Sequence, residues 1–431
     1  MKIAVLSKSD VHGGGASRIA VELTTGLAEA GVEVRHYAGW GGRARLRDRY
    51  PDGVTPVFGS HRPARVALKV GMAAQWFLGT PEAVPLEWPA LRASGLLQAD
   101  LIHVHDITEL MSARSLLWLS QRKPVVWTLH DCSPFTAGCI YPFDGEPMGC
   151  TRWQAGAAGC AAGCPLQQIK GYPFWGWFNG VPLLWRAKAQ LAAQGRLVLT
   201  SPSSWLADEA ARSALYAGRR PEVVFNGIDV QAGFVPQDKA AARQRLGLDA
   251  GGLLVVMMAG NLADRNKGFA WGVQALQGFP EPLRAQAQLL CIGTPPLEAP
   301  ATLAGMPVRW AGYVDNGPRM AELLAAGDLM LYPSLADNQP LAVIEAMACG
   351  TPVFAFDTGG VPEILGTEGG VVVPRKDIAA LAQAVAQAVA GGGLAAMGRA
   401  ARARALACFG RDRMADHFAA LYRRVLAGPA A

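Results

Sequence analysis

Residues 337–363, DNQPLAVIEAMACGTPVFAFDTGGVPE, decide the fold class of this 431-residue chain. The apolar run 328–334 before them is typical of a buried parallel strand, and Pro340 predicts the first turn of a helix. Apolar residues recur at helical spacing until Gly350, and Val353–Phe356 starts another strand. A strand–helix–strand unit of this kind predicts an α/β fold.

Two carboxylates flank this strand-to-helix turn, Asp337 at its start and Glu345 two turns into the helix. A helix N-terminus at the carboxyl end of a parallel strand favours anions. Carboxylates accept hydrogen bonds from hydroxyl groups. The stretch therefore predicts a pocket for a sugar that carries phosphate.

Length and composition favour a cytoplasmic protein of two or three domains. Hydrophobic residues make up 51% of the chain and charged residues 17%, which excludes a disordered chain. The net charge of +6 suits anionic ligands or an anionic membrane surface, and is too small to indicate nucleic-acid binding. We expect no secretory leader, and no apolar run reaches the roughly 18–20 residues of a membrane span.

The N-terminal part begins with a strand, Ile3–Leu6, followed by a glycine loop, a helix and a second strand at 32–37. The loop reads GGG rather than G-x-G-x-x-G, and no acidic residue ends the second strand, so a dinucleotide site is weakly supported. A tight turn explains some of these glycines. Gly14 and Gly15 favour close approach of a phosphate or an acceptor to the backbone.

Two further predicted strands end in the same dipeptide. Residues 101–106 (LIHVHD) and 125–131 (VVWTLHD) each end in histidine and aspartate. The carboxyl ends of strands carry the chemistry in open α/β sheets. A single such histidine is compatible with a structural role, whereas two strands that end alike favour a cleft beside them.

Residues 132–165 form an irregular insertion that contains five of the eight cysteines. In a reducing compartment they do not indicate a disulfide framework. The candidate ligands of a structural zinc ion are Cys139, Cys150, Cys160 and Cys164. The alternative, a set of buried thiols in a glycine-rich loop, is the commoner outcome of such spacings.

Two segments raise the question of membrane contact. Residues 41–79 are basic, and their cations are Arg43, Arg45, Arg47, Arg49, Arg62, Arg65 and Lys69. A solvated basic face is the simpler interpretation, and a patch for anionic lipid headgroups or a lipid-diphosphate substrate is the alternative. The aromatic cluster 172–178 (YPFWGWF) fits either a small hydrophobic core or an interfacial anchor.

A second α/β run begins at residue 253, which predicts a domain boundary. Its first strand leads into the loop 260–268 (GNLADRNKG), where Arg265 and Lys267 are cations of the kind that a diphosphate needs. The predicted domains are two Rossmann-like units, 1–225 and 226–408, and a C-terminal helix, 409–431, that packs back on the first unit.

The chain resembles the retaining nucleotide-sugar glycosyltransferases of family 4. These enzymes have the GT-B fold, in which two Rossmann-like domains face each other across a cleft. The resemblance covers nearly the whole chain. It rests on Gly13-Gly14-Gly15, 225–229 (FNGID), Lys267-Gly268 and, above all, Asp337…Glu345 followed by 359–363 (GGVPE). The stretch 128–131 (TLHD) with its cysteine-bearing insertion is similar to a subgroup associated with bacterial exopolysaccharide and lipopolysaccharide assembly.

The resemblance implies a role for each candidate residue. Glu345 would bind the ribose of the donor, Asp337 would approach the transferred sugar, and His130 would lie near the sugar's 6-position and the reacting centre. Lys267 and Arg265 would neutralise the diphosphate. The implied donor-binding residues are Gly14, Gly15, Asn338, Gln339, Leu341 and Glu345, and the implied catalytic residues are His130, Asp337, Lys267 and Arg265.

The chain departs from the family pattern at three positions. Asp337 replaces the usual glutamate and is shorter by one methylene. Pro340 stands where a glycine is common, so that position offers no N–H to a phosphate. Asn261 occupies the slot where the family often has arginine, and Arg265, in a loop one residue longer, is the candidate substitute.

The resemblance implies a retaining hexosyltransferase that moves a sugar from a UDP- or GDP-sugar to a saccharide or lipid-linked acceptor in cell-surface polysaccharide biosynthesis. No cofactor and no catalytic metal are expected, and the protein is expected in the cytoplasm or peripherally on the inner face of the membrane. The alternatives are a sugar-nucleotide epimerase or hydrolase on the same fold, or an inactive sugar-nucleotide-binding subunit. A dinucleotide oxidoreductase is the least favoured alternative, because it would give no role to the carboxylates of Asp337 and Glu345.

Overall fold

The computed structural model describes residues 1–9, 13–40, 54–58, 62–78, 80, 83–141, 150–154, 159–162, 180–296, 299–314 and 317–428. The chain divides into two compact units. The first consists of Met1–Phe225 with Asp412–Ala431, and the second of Asn226–Arg411. Each unit is built on a seven-stranded sheet.

The first unit alternates strands with helices, and its strands pair in parallel in the order β3-β2-β1-β4-β5-β6-β7. The strands are β1 (Lys2–Ser9), β2 (Glu33–Trp40), β3 (Thr55–Pro56), β4 (Leu101–Val104), β5 (Val125–Thr128), β6 (Leu197–Ser201) and β7 (Glu222–Val223). The helices are α1 (Gly15–Glu29), α2 (Arg62–Phe77), α3 (Trp88–Ala93), α4 (Ala113–Ser120), α5 (Val181–Gln194) and α6 (Ser204–Arg212).

The second unit repeats this plan, with strand order β10-β11-β9-β8-β12-β13-β14 and an antiparallel pairing only between β10 and β11 among the described strands. Its strands are β8 (Leu253–Asn261), β9 (Ala287–Thr294), β10 (Thr302–Leu303), β11 (Met306–Gly312), β12 (Leu329–Tyr332), β13 (Val353–Phe356) and β14 (Gly370–Val373). Its helices are α7 (Lys239–Leu246), α8 (Phe269–Gln277), α9 (Glu281–Ala285), α10 (Gly317–Ala326), α11 (Leu341–Ala348), α12 (Val361–Leu365), α13 (Ile378–Ala390) and α14 (Leu394–Cys408).

The central strands explain why apolar runs mark them in the sequence. Every residue of β4, β5, β12 and β13 is buried, because helices cover both faces of a parallel sheet. Each unit has its own hydrophobic cluster, one around Trp127 and Phe135 and the other around Phe354 and Phe356. The α/β prediction, with two Rossmann-like units, is confirmed.

The last helix, α15 (Arg411–Ala427), belongs to the first unit from Asp412 onward. Its Tyr422 hydroxyl lies 2.6 Å from His103 Nδ1 on β4, and the ring of Phe418 lies 4.7 Å from the same imidazole. Both aromatic side chains are buried. The C-terminal helix therefore completes the core of the N-terminal sheet.

Within the described residues, no single helix is long and apolar enough to cross a membrane. The consecutive helices α13 and α14 reach that length and composition only together, and the chain bends by 107° between them.

Candidate functional site

The carboxylate of Asp337 is the centre of a hydrogen-bonded cluster at the carboxyl edge of the second sheet. Lys267 Nζ lies 2.9 Å from both carboxylate oxygens. Tyr332 donates to Oδ2 at 2.5 Å, and the Ser334 hydroxyl lies 2.7 Å from the same oxygen. With only 8% of the residue exposed, Asp337 is held by three side chains, and it in turn holds the ammonium of Lys267 in place.

The loop 260–268 follows β8, and the loop that carries Asp337 follows β12. The two loops lie side by side because β8 and β12 are neighbours in the sheet. Arg265–Lys267 forms a 3-10 turn, and Leu335 N donates to the carbonyl of Asn266 at 2.8 Å. Arg265 begins this turn with an exposed side chain, whereas Lys267 reaches Asp337. Of the two predicted cations, the structure brings Lys267 to the predicted carboxylate and leaves Arg265 on the outer side of the turn.

Gly268 ends this turn where the two loops touch. Its φ of +68° lies in the left-handed region, and a Cβ there would stand 1.8 Å from the carbonyl oxygen of Pro333. We expect Gly268→Ala to destabilise the protein by at least about 3 kcal/mol, because it combines strain with a backbone clash. Chemical denaturation measures this loss.

Gly260 supplies the matched control for that variant. It is the first residue of the same loop, 260–268, and a Cβ at this position would meet no atom of the described residues within 4 Å. Gly260→Ala should leave the free energy of unfolding within about 0.5 kcal/mol of the parent. Equal losses in the two variants would contradict the role given to Gly268.

The remaining predicted donor residues lie at the start of α11. Pro340 is the N-cap residue of this helix rather than part of its first turn, and Leu341 is its first residue. Asn338 and Gln339 are buried, and each accepts a hydrogen bond. The Asn338 carbonyl accepts from Gly360 N at 2.8 Å. The Gln339 side-chain oxygen accepts from Asn226 N at 2.7 Å.

Glu345 lies about one turn after Leu341, the first residue of α11, rather than two turns into the helix, and it is fully buried. The sequence prediction placed this side chain beside the ribose of a donor. The structure puts it on the helix that Leu341 begins, in the same unit as Lys267 and Asp337. Its role in donor binding stays a prediction.

In the first unit, the two strands that end in histidine and aspartate are neighbours and run parallel. His105, after β4, and His130, after β5, therefore meet: Nδ1 of His105 lies 3.0 Å from Nε2 of His130, and the rings stack 5.2 Å apart. His103, within β4, lies between Tyr422 and Thr128, at 2.6 and 2.7 Å. The predicted grouping of these strand ends is present.

Burial sets the charge of these side chains. It lowers the pKa of His130 to about 4, and with neighbouring histidines it lowers the pKa of His105 well below the usual value. Burial, reinforced by the charge of Asp131, raises the pKa of Asp106 to about 7. At neutral pH the two imidazoles are therefore uncharged.

The glycine loop at the start of α1 separates into two kinds of position. Gly14 and Gly15 are exposed, and a Cβ at either would meet no atom of the described residues within 4 Å. A Cβ at Gly13 would lie 2.4 Å from Ser9 Cβ and 2.6 Å from Ser17 Oγ. Gly13 is therefore the glycine that packing between β1 and α1 requires.

The cysteine insertion lies only partly within the described residues. Cys139, Cys150 and Cys160 are described, and the fourth predicted zinc ligand, Cys164, lies outside them. In the part of the chain that the structure describes, no three His, Cys, Asp or Glu side chains are placed to hold a metal ion. Zinc binding stays a prediction.

The two segments for which membrane contact was considered, 41–79 and 172–178, lie only partly within the described residues. Arg43, Arg45, Arg47 and Arg49 and the aromatic cluster 172–178 lie outside the described residues. Arg62, Arg65 and Lys69 belong to α2, and Lys69 Nζ lies 5.3 Å from the ring centre of Trp40.

Sequence reasoning missed Tyr332 and Ser334 as partners of Asp337. Tyr332 is the last residue of β12 and Ser334 lies in the loop that follows. Polar side chains at the carboxyl end of a buried parallel strand were the available signal.

Two family descriptions match the chain. "Glycosyltransferase Family 4" matches residues 13–232, which is more than half of the chain, and "Glycosyl transferases group 1" matches residues 254–390. The chain belongs to glycosyltransferase family 4.

Two relatives of this family 4 chain carry different names. WcaC of Escherichia coli (strain K12), named as a colanic acid biosynthesis glycosyl transferase, is 26% identical over 65% of this chain and 64% of that protein. D-inositol 3-phosphate glycosyltransferase of Mycobacteroides abscessus is 31% identical over 48% of this chain and 47% of that protein. The chain thus spans less than two thirds of the length of either relative.

The fold has a counterpart among solved structures. Anabaena Alr3699/HepE, in complex with UDP, has a TM-score of 0.67 and 18% identity, over 98% of this chain and 100% of that one. At this identity the likeness shows the α/β GT-B fold, in agreement with the prediction.

Proposed function

We propose that this glycosyltransferase moves a sugar, with retention, from a UDP- or GDP-sugar to a saccharide or lipid-linked acceptor in cell-surface polysaccharide biosynthesis. The observation that carries the proposal is the ammonium of Lys267, held by Asp337 in the loop that leads to α11. A fixed cation next to a helix N-terminus suits the diphosphate of a nucleotide sugar.

The proposed chemistry places the developing charge on this cluster. The bond between the anomeric carbon and the phosphate oxygen breaks, which leaves oxocarbenium character on the sugar and negative charge on the nucleoside diphosphate. Lys267, assisted by Arg265 and by the N-terminus of α11, stabilises that charge electrostatically. These groups supply the positive charge from the chain itself, so the proposal includes no catalytic metal.

Retention follows if the acceptor attacks the face from which the diphosphate departs. The acceptor oxygen then bonds to the anomeric carbon, and its proton passes to the leaving phosphate oxygen. In this proposal His130 lies beside the reacting sugar, and Gly14 and Gly15 leave the backbone open to the acceptor or the donor phosphate.

The buried cluster also gives Asp337 a revised role. Its carboxylate already accepts from Lys267, Tyr332 and Ser334. We propose that it acts mainly by positioning Lys267, while Glu345 binds the ribose. The shorter aspartate therefore suits an ion pair in place of the direct sugar contact that the family's glutamate makes.

Support for the pathway and for the donor comes from one relative and one solved structure. WcaC carries a name from colanic acid biosynthesis, and Alr3699/HepE was solved with UDP. Both agree with transfer from a nucleotide sugar into a surface polysaccharide.

The test is an assay of nucleotide release from UDP- and GDP-sugars, with and without a panel of saccharide and lipid-linked acceptors, in the presence of EDTA. Acceptor-dependent release with an α-linked product from an α-configured donor supports the proposal. Release without acceptor would indicate a hydrolase, and conversion of the sugar without release would indicate an epimerase. Tight donor binding without any turnover would indicate an inactive sugar-nucleotide-binding subunit.

We further propose that the protein contacts the anionic surface of the membrane through α2. Among the described side chains of this helix, the large apolar residues that are exposed are Val66 at 59%, Val70 at 62% and Phe77 at 71%. Spacings of four and seven residues put them on one helix face. The helix contains three cations and no carboxylate. An outward apolar stripe beside positive charge fits an interfacial helix on anionic lipid.

Val70→Glu is expected to reduce binding of the full-length protein to vesicles rich in phosphatidylglycerol by at least about tenfold at low salt, because it puts a charge into the apolar stripe. Co-sedimentation measures the bound fraction. Tyr313→Glu, at an equally exposed apolar position in the second unit, is the control and should bind like the parent. Absence of binding by the parent protein, or equal loss in both variants, would overturn this proposal.

A further inference from the structure

His105 is the buried partner of the histidine that the proposed function places beside the sugar. Only 1% of His105 is exposed, and its ring lies between the rings of His103, at 4.3 Å, and His130, at 5.2 Å. Its Nδ1 lies 3.0 Å from Nε2 of His130. Its other nitrogen, Nε2, is buried and has no hydrogen-bond partner among the residues that the structure describes.

One proton links the two rings. A neutral imidazole carries a single N–H, so one of the facing nitrogens donates and the other accepts. In the first arrangement His105 donates from Nδ1 to Nε2 of His130. In the second His130 donates from Nε2, and His105 must then carry its own proton on its buried Nε2.

The surroundings of His105 favour the first arrangement. In the second, a buried N–H would have no acceptor, which costs about 1–3 kcal/mol. Among backbone groups, orphaned buried N–H donors are rarer than under-satisfied acceptors, and we extend this preference to the imidazole of His105. In the first arrangement the nitrogen without a partner is an acceptor.

We propose that His105 is a positioning residue that holds His130 as its Nδ1–H tautomer. The significance for catalysis rests on the proposed function, in which His130 lies beside the transferred sugar. With Nε2 engaged by His105, the proton of His130 is on Nδ1. Any hydrogen bond from that nitrogen to a substrate oxygen is then one in which the imidazole donates. His130 thus binds an oxygen as a neutral donor and does not serve as a general base through Nδ1.

The experiment is long-range ¹H–¹⁵N correlation spectroscopy of the full-length protein labelled with ¹⁵N-histidine, at pH 7.5, with His130 assigned from His130→Gln. We expect a protonated Nδ1 and an unprotonated Nε2. His105→Phe keeps an aromatic ring but removes the donor, and should shift His130 toward the Nε2–H tautomer. His105→Asn places an amide N–H near the position of Nδ1 and should restore the original pattern.

His417→Gln is the control, because it removes an exposed histidine that pairs with Glu222 in the same unit. The His130 signals should not change in this variant. A protonated Nε2 on His130 in the parent protein, or an unchanged tautomer in His105→Phe, would overturn the proposal.

Kinetics separate this inference from the proposed function. His105→Phe should lower kcat about tenfold with little change in donor KM, His105→Asn should recover most of it, and neither should reduce activity further in a His130→Ala background. A tautomer shift without any change in transfer would support the positioning role and contradict the role of His130 in catalysis.

Discussion

Lys267→Met is expected to lower kcat for sugar transfer by about 100- to 1000-fold, the usual loss when one preorganised group that stabilises developing negative charge is removed. The ammonium lies 2.9 Å from both oxygens of Asp337 and keeps part of its surface exposed, so it can face an incoming diphosphate. Methionine keeps the length of the side chain and removes the charge. Steady-state kinetics with a nucleotide sugar and acceptor measure the effect.

The loss has a second component that is specific to this cluster. Without Lys267, the carboxylate of Asp337 keeps Tyr332 and Ser334 as donors but loses its counter-ion. An uncompensated anion would then face the diphosphate and also weaken donor binding. The double variant Lys267→Met/Asp337→Asn should therefore bind donor more tightly than Lys267→Met, although kcat stays low.

Lys239 provides the control. It forms a similar ion pair with Asp328, at 2.8 Å, and belongs neither to the loop 260–268 nor to the loop that carries Asp337. Lys239→Met should retain kcat within about twofold, because surface ion pairs contribute little. If Lys267→Met keeps full turnover, or if both variants lose activity equally, Lys267 does not stabilise the leaving group.

Glu345→Gln is expected to raise the donor KM by about 30- to 100-fold with a smaller change in kcat. Hydrogen bonds to a charged group contribute about 1.5–3 kcal/mol each, and the amide replaces one accepting oxygen by a donor that faces the ribose hydroxyls. Because glutamine has the same shape, the fully buried site on α11 stays filled.

Glu368→Gln, an identical change at an exposed position of the same unit, should leave both kinetic constants unchanged. Isothermal titration with UDP and GDP reports donor binding directly. A variant with lower stability but normal KM would show that Glu345 serves the core of the second unit, and would remove it from the donor site.

The strands and the donor helix could be predicted from sequence because buried parallel strands are continuous apolar runs and α11 has a helical repeat. The same logic located Lys267 and Asp337, since both follow such strands. Their ion pair could not be predicted, because it depends on β8 and β12 being neighbours and on two loops packed through Gly268. The grouping of the strand ends that carry His105 and His130 was predicted, whereas the 3.0 Å contact between their side chains was not.

The helix α2 was missed for a different reason. Its apolar residues Val66, Val70 and Phe77 face outward, and the prediction for this segment rested on its cations, with Trp76 and Phe77 following them in the sequence. A helix whose hydrophobic stripe does not serve the core is hard to separate from a basic loop.

The attachment of α15 to the first sheet has a consequence for the order of synthesis. His103 is made early, yet its partner Tyr422 follows 319 residues later. The second unit, Asn226–Arg411, is a continuous segment and is complete before the first unit has received its last helix. The unit whose synthesis starts first is therefore the one whose residues are completed last, and a chain that ends before α15 has an N-terminal unit without Tyr422 and Phe418 in its core.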